Sequence, residues 1–515
     1  MSDNLKSASV DEVDRSSASG LHHKDTHDSR YIEEAKGGPG EALSEAHQEY
    51  LLARHGRLDL QPVPDMTDAD PYNWPKRKAL INLILVAFHA MMATFTAAAI
   101  QSAFADIAID LNVSLQRASY LTSLVIAILG AAPLFWRPLS DRYGRRPIFL
   151  LSLICSLIGN AGCAKSPSYA TMGLCRAITA FFISPAGAIG SAVVQETFFK
   201  HERAKFMGVW TLFVTLGVPT APFIFGFVAL RVGYRWIYWI LACTNAVQLL
   251  LYTFLGPETR YIRTPTTTPS PPTSAPSFTR KYLTFTRLDP TPLTLSSFLS
   301  PLHFFAAPRV LVPTLAYATT FLFASILISI EIPQIFVEKF HLNTQAIGLQ
   351  NLSLIIGSVI GEQMGGRMSD WWMQRRRKRT GGSEERPEFR LWLSYGGYLL
   401  AIAGVVVFLV QTGAAREGRW NITPVIGAAV AAVGNQIVTT VLITYAVDCY
   451  REEAAGVGVF VTFVRQTWGF IGPFWFPDML ENVGLYGSAG ICTALIVGIS
   501  MIPTVFLQWK GHSWR

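Results

Sequence analysis

The chain has 515 residues, 50% of them hydrophobic and only 15% charged, with a formal net charge of +8, pI near 9.1 and a mean hydropathy of +0.31. Soluble domains carry about 25% charged residues, so an ordinary soluble multidomain protein is excluded. The positive charges sit in short segments between apolar runs, which argues against nucleic acid as a partner and for a lipid bilayer.

Residues 1–70 are polar and lack sustained apolar periodicity. They read as a disordered tail, because too little apolar surface is available to offset the entropy of ordering. His22, His23 and His27 fall in this tail without a fixed frame for a metal. No cleavable signal peptide is visible, so the first apolar run should act as a signal-anchor. Asp70-Pro71-Tyr72-Asn73-Trp74-Pro75 then leads into Lys76, Arg77 and Lys78, an aromatic and basic collar suited to a membrane interface.

Apolar runs predict spans at 79–101, 119–137, 147–164, 169–195, 207–230 and 236–256, then at 310–336, 345–366, 390–411, 422–446, 455–477 and 484–508. Each approaches the ~20 residues that cross a hydrocarbon core. Between the two sets, residues 257–309 form a linker whose stretch Thr264 to Pro276 is rich in Thr, Pro and Ser. The organisation expected is a tail (1–70), a six-helix half (71–256), a linker (257–309) and a second six-helix half (310–509). The halves echo each other: Ser140-Asp141 matches Ser369-Asp370, and Glu196 before a basic turn matches Asp448. Such repeats belong to alternating-access carriers.

Lys and Arg concentrate in the segments after spans two, four and eight, the last holding Arg375, Arg376, Arg377, Lys378 and Arg379. This distribution predicts that those segments and both termini are cytoplasmic. The sequons at Asn112 and Asn421 fall on expected outer segments and are glycosylation candidates. The six cysteines, Cys155, Cys163, Cys175, Cys243, Cys449 and Cys492, show neither CxxC nor metal-ligand spacing and read as packing residues. No metal or cofactor is expected.

The most specific motif is Arg137-Pro138-Leu139-Ser140-Asp141-Arg142-Tyr143-Gly144-Arg145-Arg146, read as a tight loop between spans two and three. Here the chain resembles the major facilitator superfamily, whose motif is Gly-x-Leu-x-Asp-Arg-x-Gly-Arg-Arg. Leu139, Asp141, Arg142, Gly144, Arg145 and Arg146 match, while Arg137 replaces the first glycine. Asp141 can accept charge-assisted hydrogen bonds or cap a short helix, Gly144 permits a tight turn, and the arginines anchor the face. A gate is the role implied; topology charges alone are the plainer alternative.

In span five, Gly208, Gly217, Ala221, Pro222 and Gly226 resemble the family's antiporter motif, with Ala221 and Phe225 at two of its glycines. That resemblance implies export by exchange. Arg176 in span four stands where the superfamily has an arginine implicated in proton transfer. Further buried polar candidates for a central site are Glu331, Glu362, Asn435, Gln436 and Arg465, with Gln466, His89 and Gln101 nearby in the pattern. Ionisable residues inside spans face protein and are normally functional; pairing of a glutamate with Arg465 is the structural alternative.

Within the superfamily, the collar at Asp70–Pro75, Pro257-Glu258-Thr259-Arg260-Tyr261, Gly361 to Gly366 and Tyr445 to Tyr450 are similar to fungal twelve-span drug:proton antiporters and to polyamine/histidinol-type carriers. The resemblance implies an all-α membrane protein of about twelve helices in two pseudo-symmetric halves, a monomer in the plasma membrane and not an enzyme. Proton-coupled efflux of a small organic molecule is the leading expectation. Proton-driven uptake of a polyamine or other cation, and a nutrient sensor on a transporter scaffold, are the alternatives.

Overall fold

The computed structural model describes residues 43–262, 287–290, 292–379, 387–450 and 453–511. His22, His23, His27 and Thr264–Pro276 lie outside them. Among the described residues all regular structure is helical, as a chain in lipid requires when its backbone must satisfy its own hydrogen bonds. We number the main helices α1 (Glu45–His55), α2 (Lys76–Asp110), α3 (Leu115–Tyr143), α4 (Arg145–Ala164), α5 (Tyr169–Thr197), α6 (Lys200–Val232), α7 (Arg235–Leu255), α8 (Leu295–Ala306), α9 (Pro308–Phe340), α10 (Thr344–Arg379), α11 (Pro387–Ala414), α12 (Thr423–Cys449), α13 (Ala454–Phe474) and α14 (Phe476–Lys510).

Eleven helices, α2–α7, α9 and α11–α14, are long and apolar enough to cross a membrane. The twelfth expected span lies in α10, which is long enough at 36 residues. Gln345, Gln350, Asn351, Glu362 and Gln363 make it too polar to meet the same criterion. The basic run 375–379 belongs to its last turns and not to a loop. Lipid-facing stripes are plain on α7, where Val247, Leu250, Leu251 and Phe254 are exposed. Two six-helix halves result, α2–α7 and α9–α14. One apolar cluster draws on residues 304–507 with Ile126 of α3, and the remaining clusters on residues 79–252.

The structure departs from the expected disordered tail from Ser44 onward. Ser44 caps α1, Gly56 ends it in the left-handed conformation, and Pro71–Asn73 forms a 3-10 turn. Hydrophobicity gives little hint of this, since order rests on polar contacts. Asn73 Nδ2 donates to the carbonyls of Asp65 (2.6 Å) and Thr67 (2.7 Å), and the Tyr72 hydroxyl donates to the Gln195 carbonyl (2.5 Å). The Tyr72 ring stacks on Phe199 with centroids 5.0 Å apart, docking the segment on the turn between α5 and α6.

Candidate functional site

The basic motif is not a loop. Helix α3 runs through Tyr143, α4 begins at Arg145, and Gly144 alone joins them at φ 92° and ψ 166°. Asp141 therefore sits in the last turn of α3 and caps nothing; it pairs with Arg145 at 2.7 Å. Arg145, buried, also binds Glu196 of α5 at 2.8 Å and donates to Ser140 Oγ at 2.6 Å. The start of α4 is capped from the far side of the sequence. Glu258, just past α7, accepts from the backbone N–H of Arg145 (2.8 Å) and of Arg146 (3.0 Å), a carboxylate at the positive end of a helix dipole. Burial lifts the Glu258 carboxyl above its usual range, against the pull of the backbone N–H groups of Arg260, Arg145 and Arg146. Thr259 Oγ1 donates to Glu196 at 2.9 Å, and the side chain of Arg146 donates to the Thr253 carbonyl at 2.9 Å. Arg142 pairs with Asp289 of the linker at 3.2 Å. One cluster thus ties α3, α4, α5, the exit of α7 and the linker together.

Glycine is required at 144. A Cβ there would lie 2.4 Å from Glu258 Oε2, in a backbone conformation that L-residues rarely adopt. Gly144→Ala should cost about 1–3 kcal/mol from backbone strain alone, and displace the cap as well. A thermal melt of the purified protein reads this as a lowered Tm; a Tm equal to wild type would show that the cap yields freely.

The second half carries a counterpart. Arg390, at the start of α11, donates to Ser369 Oγ at 2.7 Å and pairs with Asp448 at 3.4 Å. This repeats the bonds of Arg145 to Ser140 and Glu196, and supplies the arginine that the sequence echo of Ser369 and Asp448 left unassigned.

The halves meet along two seams. Helix α3 lies against α13 from Arg137, whose guanidinium rests beside Gly456, to Tyr120, which stacks on Phe474 at 4.6 Å. The glycine missing at 137 is therefore answered by a glycine on the facing helix. Helix α6 meets α10 where a Cβ on Gly226 would fall 3.0 Å from Gly348 Cα, and one on Gly348 would fall 2.6 Å from the Pro222 carbonyl oxygen. Close by, Thr344 Oγ1 donates to Asp106 Oδ2 at 2.9 Å, joining the start of α10 to the end of α2. Of the antiporter-type glycines, Gly217 packs on α2 against Thr94 and the Met91 carbonyl, whereas Gly208 has open space around it. Helix α6 runs on as one helix despite Pro219 and Pro222. Gly348→Leu should wedge this seam, at the roughly 1–3 kcal/mol typical of overpacking. Slower substrate flux from correctly inserted protein is the expected readout, and wild-type flux would show that the two helices need not approach.

The span-interior polar residues do not gather into one constellation. Arg176 is buried and donates to the carbonyls of Leu121 (3.1 Å) and Ala97 (3.2 Å) and to the Tyr238 hydroxyl (3.4 Å). It ties α5 to α2, α3 and α7 through neutral oxygens. Glu331 in α9 is buried, and its polar neighbour is Gln334, whose Nε2 donates at 3.3 Å. Glu362 in α10 accepts from Gln436 Nε2 (2.5 Å) and Thr440 Oγ1 (3.4 Å) of α12. Asn435 beside Gln436 is buried with its Oδ1 unpartnered. Arg465 of α13 donates to the Tyr317 hydroxyl at 3.2 Å and lies over the Phe321 ring, 4.9 Å from its centroid. Among the described residues, no ion pair joins Glu331 or Glu362 to a basic side chain, so the structural pairing with Arg465 is not made. The sequons lie at exposed positions: Asn112 at a positive φ of 50°, and Asn421 capping α12 through the Thr423 N–H.

Sequence reasoning did not assign Glu258, Asp289, Asp106 or Thr344. Glu258 was visible within Pro257-Glu258-Thr259-Arg260-Tyr261, a stretch that carries the family resemblance, but without a role; the others carry no local signal.

The profile of the Major Facilitator Superfamily matches residues 84–473. An uncharacterized transporter of Schizosaccharomyces pombe is 26% identical over 447 residues, covering 86% of this chain and 90% of its own length. The efflux pump vrtL of Penicillium aethiopicum is 26% identical over 488 residues, covering 90% and 93%. The efflux pump radE of Floropilus chiversii is 24% identical, covering 86% and 82%. Among solved structures, a mutant of the peptide transporter POT, in complex with alafosfalin, superposes with a TM-score of 0.60 at 12% identity, over 87% of this chain and 97% of that one. That likeness concerns the fold. Eleven apolar helices, the repeated arginine clusters and a profile match over most of the length place the chain in the Major Facilitator Superfamily.

Proposed function

We propose that this transporter is a proton-coupled exporter of small organic compounds, with the arginine-rich end and both termini cytoplasmic, in the plasma membrane. In this reading the halves 71–256 and 310–509 rock about a site between them, and the cluster of Asp141, Arg142, Gly144, Arg145 and Arg146 holds the cytoplasmic end. The observation that carries the coupling is Glu331, a buried carboxyl in a span that is bonded by Gln334 and has no ion pair among the described residues. A buried carboxylate without a cation is costly, so a proton or a cationic ligand must balance it. The direction is supported by relatives named as efflux pumps and by the small-residue stripe of α6. Arg176 serves here as a tie between helices, since each of its partners is a neutral oxygen.

The test is purified protein in liposomes under an imposed pH gradient, with labelled hydrophobic toxins beside labelled polyamines. Toxin flux opposite to the proton gradient establishes the exporter. A second reading, proton-driven uptake of organic cations, is favoured by a second carboxylate, Glu362, that also lacks an ion pair among the described residues; polyamine flux with the proton would replace the first reading by it.

A further inference from the structure

The N-terminal half buries polar groups that none of these contacts employs. On α2, Asn82, His89 and Thr96 stand two helical turns apart in succession and so share one face, with exposures of 0%, 0% and 3%. At Leu85 and His89 that face looks onto α7 and α4. His89 Nε2 lies 3.1 Å from Ser152 Oγ, and the Phe149 ring touches both His89 and Tyr252, each at 5.5 Å. Gln248 of α7 donates to the Leu85 carbonyl at 3.1 Å. Helices α4 and α7 run antiparallel, since Arg146 bonds the Thr253 carbonyl and Arg235 the Ala164 carbonyl. Two turns along from the Phe149–Tyr252 contact, Ser156 and Asn245 therefore stand at one depth, and both are fully buried.

Within this seam eleven polar atoms have no hydrogen-bond partner: both ends of Asn82, Asn160 and Asn245, with His89 Nδ1, Thr96 Oγ1, Ser156 Oγ, Gln248 Oε1 and the Tyr252 hydroxyl. A buried polar atom left without a partner keeps the full cost of its desolvation, and eleven of them would together rival the whole of a typical folding stability. They therefore have partners. None of these atoms is a carboxylate oxygen, and Glu258 and Glu196 near Tyr252 are already held by the start of α4 and by Arg145, so a metal cation would find no free countercharge. A small neutral molecule that both donates and accepts fits, and water in such sites makes about two to four hydrogen bonds.

We propose that the α2–α4–α7 seam binds water molecules, with His89 as a central ligand. The site is separate from the α3–α13 and α6–α10 seams, so this water is not that of the substrate path.

Hydroxyl-radical labelling of the intact protein by X-ray radiolysis, read by mass spectrometry, tests it, because the radiation splits bound water into radicals where it sits. His89, Phe149 and Tyr252 should label several-fold faster than Phe336 and Phe408, equally buried aromatics of the other half. Labelling at the rate of those controls would overturn the site. Asn245→Leu gives an independent sign. In a hydrated seam it lowers the Tm and slows labelling of His89; in a dry one it removes two unpartnered groups and raises the Tm, which would also overturn the proposal.

Discussion

Arg145→Met is expected to abolish recovery of folded protein, while Arg145→Lys leaves a protein that folds with a clearly lower Tm. The guanidinium reaches Asp141 at 2.7 Å, Glu196 at 2.8 Å and Ser140 at 2.6 Å from a buried position. Removing it takes the close partner from two carboxylates and leaves Glu196 only the more distant Arg260 at 3.9 Å, so the cost approaches the about 3–5 kcal/mol of breaking a buried pair. Lysine keeps the charge but not the planar fork that serves several acceptors at once. Size-exclusion profiles of the solubilised variants and their melting curves check both. If methionine folds as well as arginine, the cluster is ornamental to stability and its role is confined to the transport cycle. The paired variant Glu196→Gln, which leaves Asp141 to satisfy the arginine, should fall between the two.

Glu331→Gln is the substitution expected to change transport most. Glutamine keeps the volume of the side chain and can still bond Gln334, so the helix around Pro333 should persist and the protein should fold. What it loses is the ability to take up and release charge. Under the proposed coupling, flux driven by a pH gradient is lost, while exchange of labelled for unlabelled substrate across the liposome continues. Selective loss of cationic cargo, with neutral cargo still pumped, would make Glu331 a substrate ligand. Unchanged gradient-driven flux would remove it from the coupling altogether and leave Glu362 as the carboxylate to test.

Much of the fold was legible because bilayer thickness writes itself into the sequence as uninterrupted apolar runs. The start of the twelfth span is a good instance: the run expected at 484–508 begins at Gly484, whose φ of 73° breaks α14 there. The span in α10 was legible by length although its polar face hides it from a hydropathy criterion. The gating motif was legible as a set of residues, but not as a shape. Asp141 reaches Arg145 only because α3 stays helical to the glycine and α4 restarts at once, and the cap of α4 by the end of α7 is a contact across 113 residues, on which local patterning is silent. The docking of residues 44–75 was missed for a similar reason, since hydrogen bonds to distant carbonyls leave no periodic trace. Of the polar residues of the spans, Arg176, Glu331, Asn435 and Gln436 are buried while Glu362 and Arg465 are partly exposed, and the alternative that pairs a glutamate with Arg465 is not met among the described residues.

Helix α10 has a further consequence. Its 36 residues extend about 54 Å at 1.5 Å per residue, against a hydrocarbon core of ~30 Å. A rod of that length overreaches the bilayer, and exposed Trp371 and Trp372, with Arg375 stacked over Trp371 at 5.1 Å, mark where it leaves. Such aromatic and basic anchors hold a fixed depth, so a change in bilayer thickness is met by tilting the rod. Since α10 also leans on α6 through Gly348 and on α12 through Glu362, a tilt is felt at the joint between the halves. The acyl-chain length of the host membrane thereby becomes a mechanical input to the carrier, and the same protein should turn over at different rates in thin and in sterol-thickened bilayers.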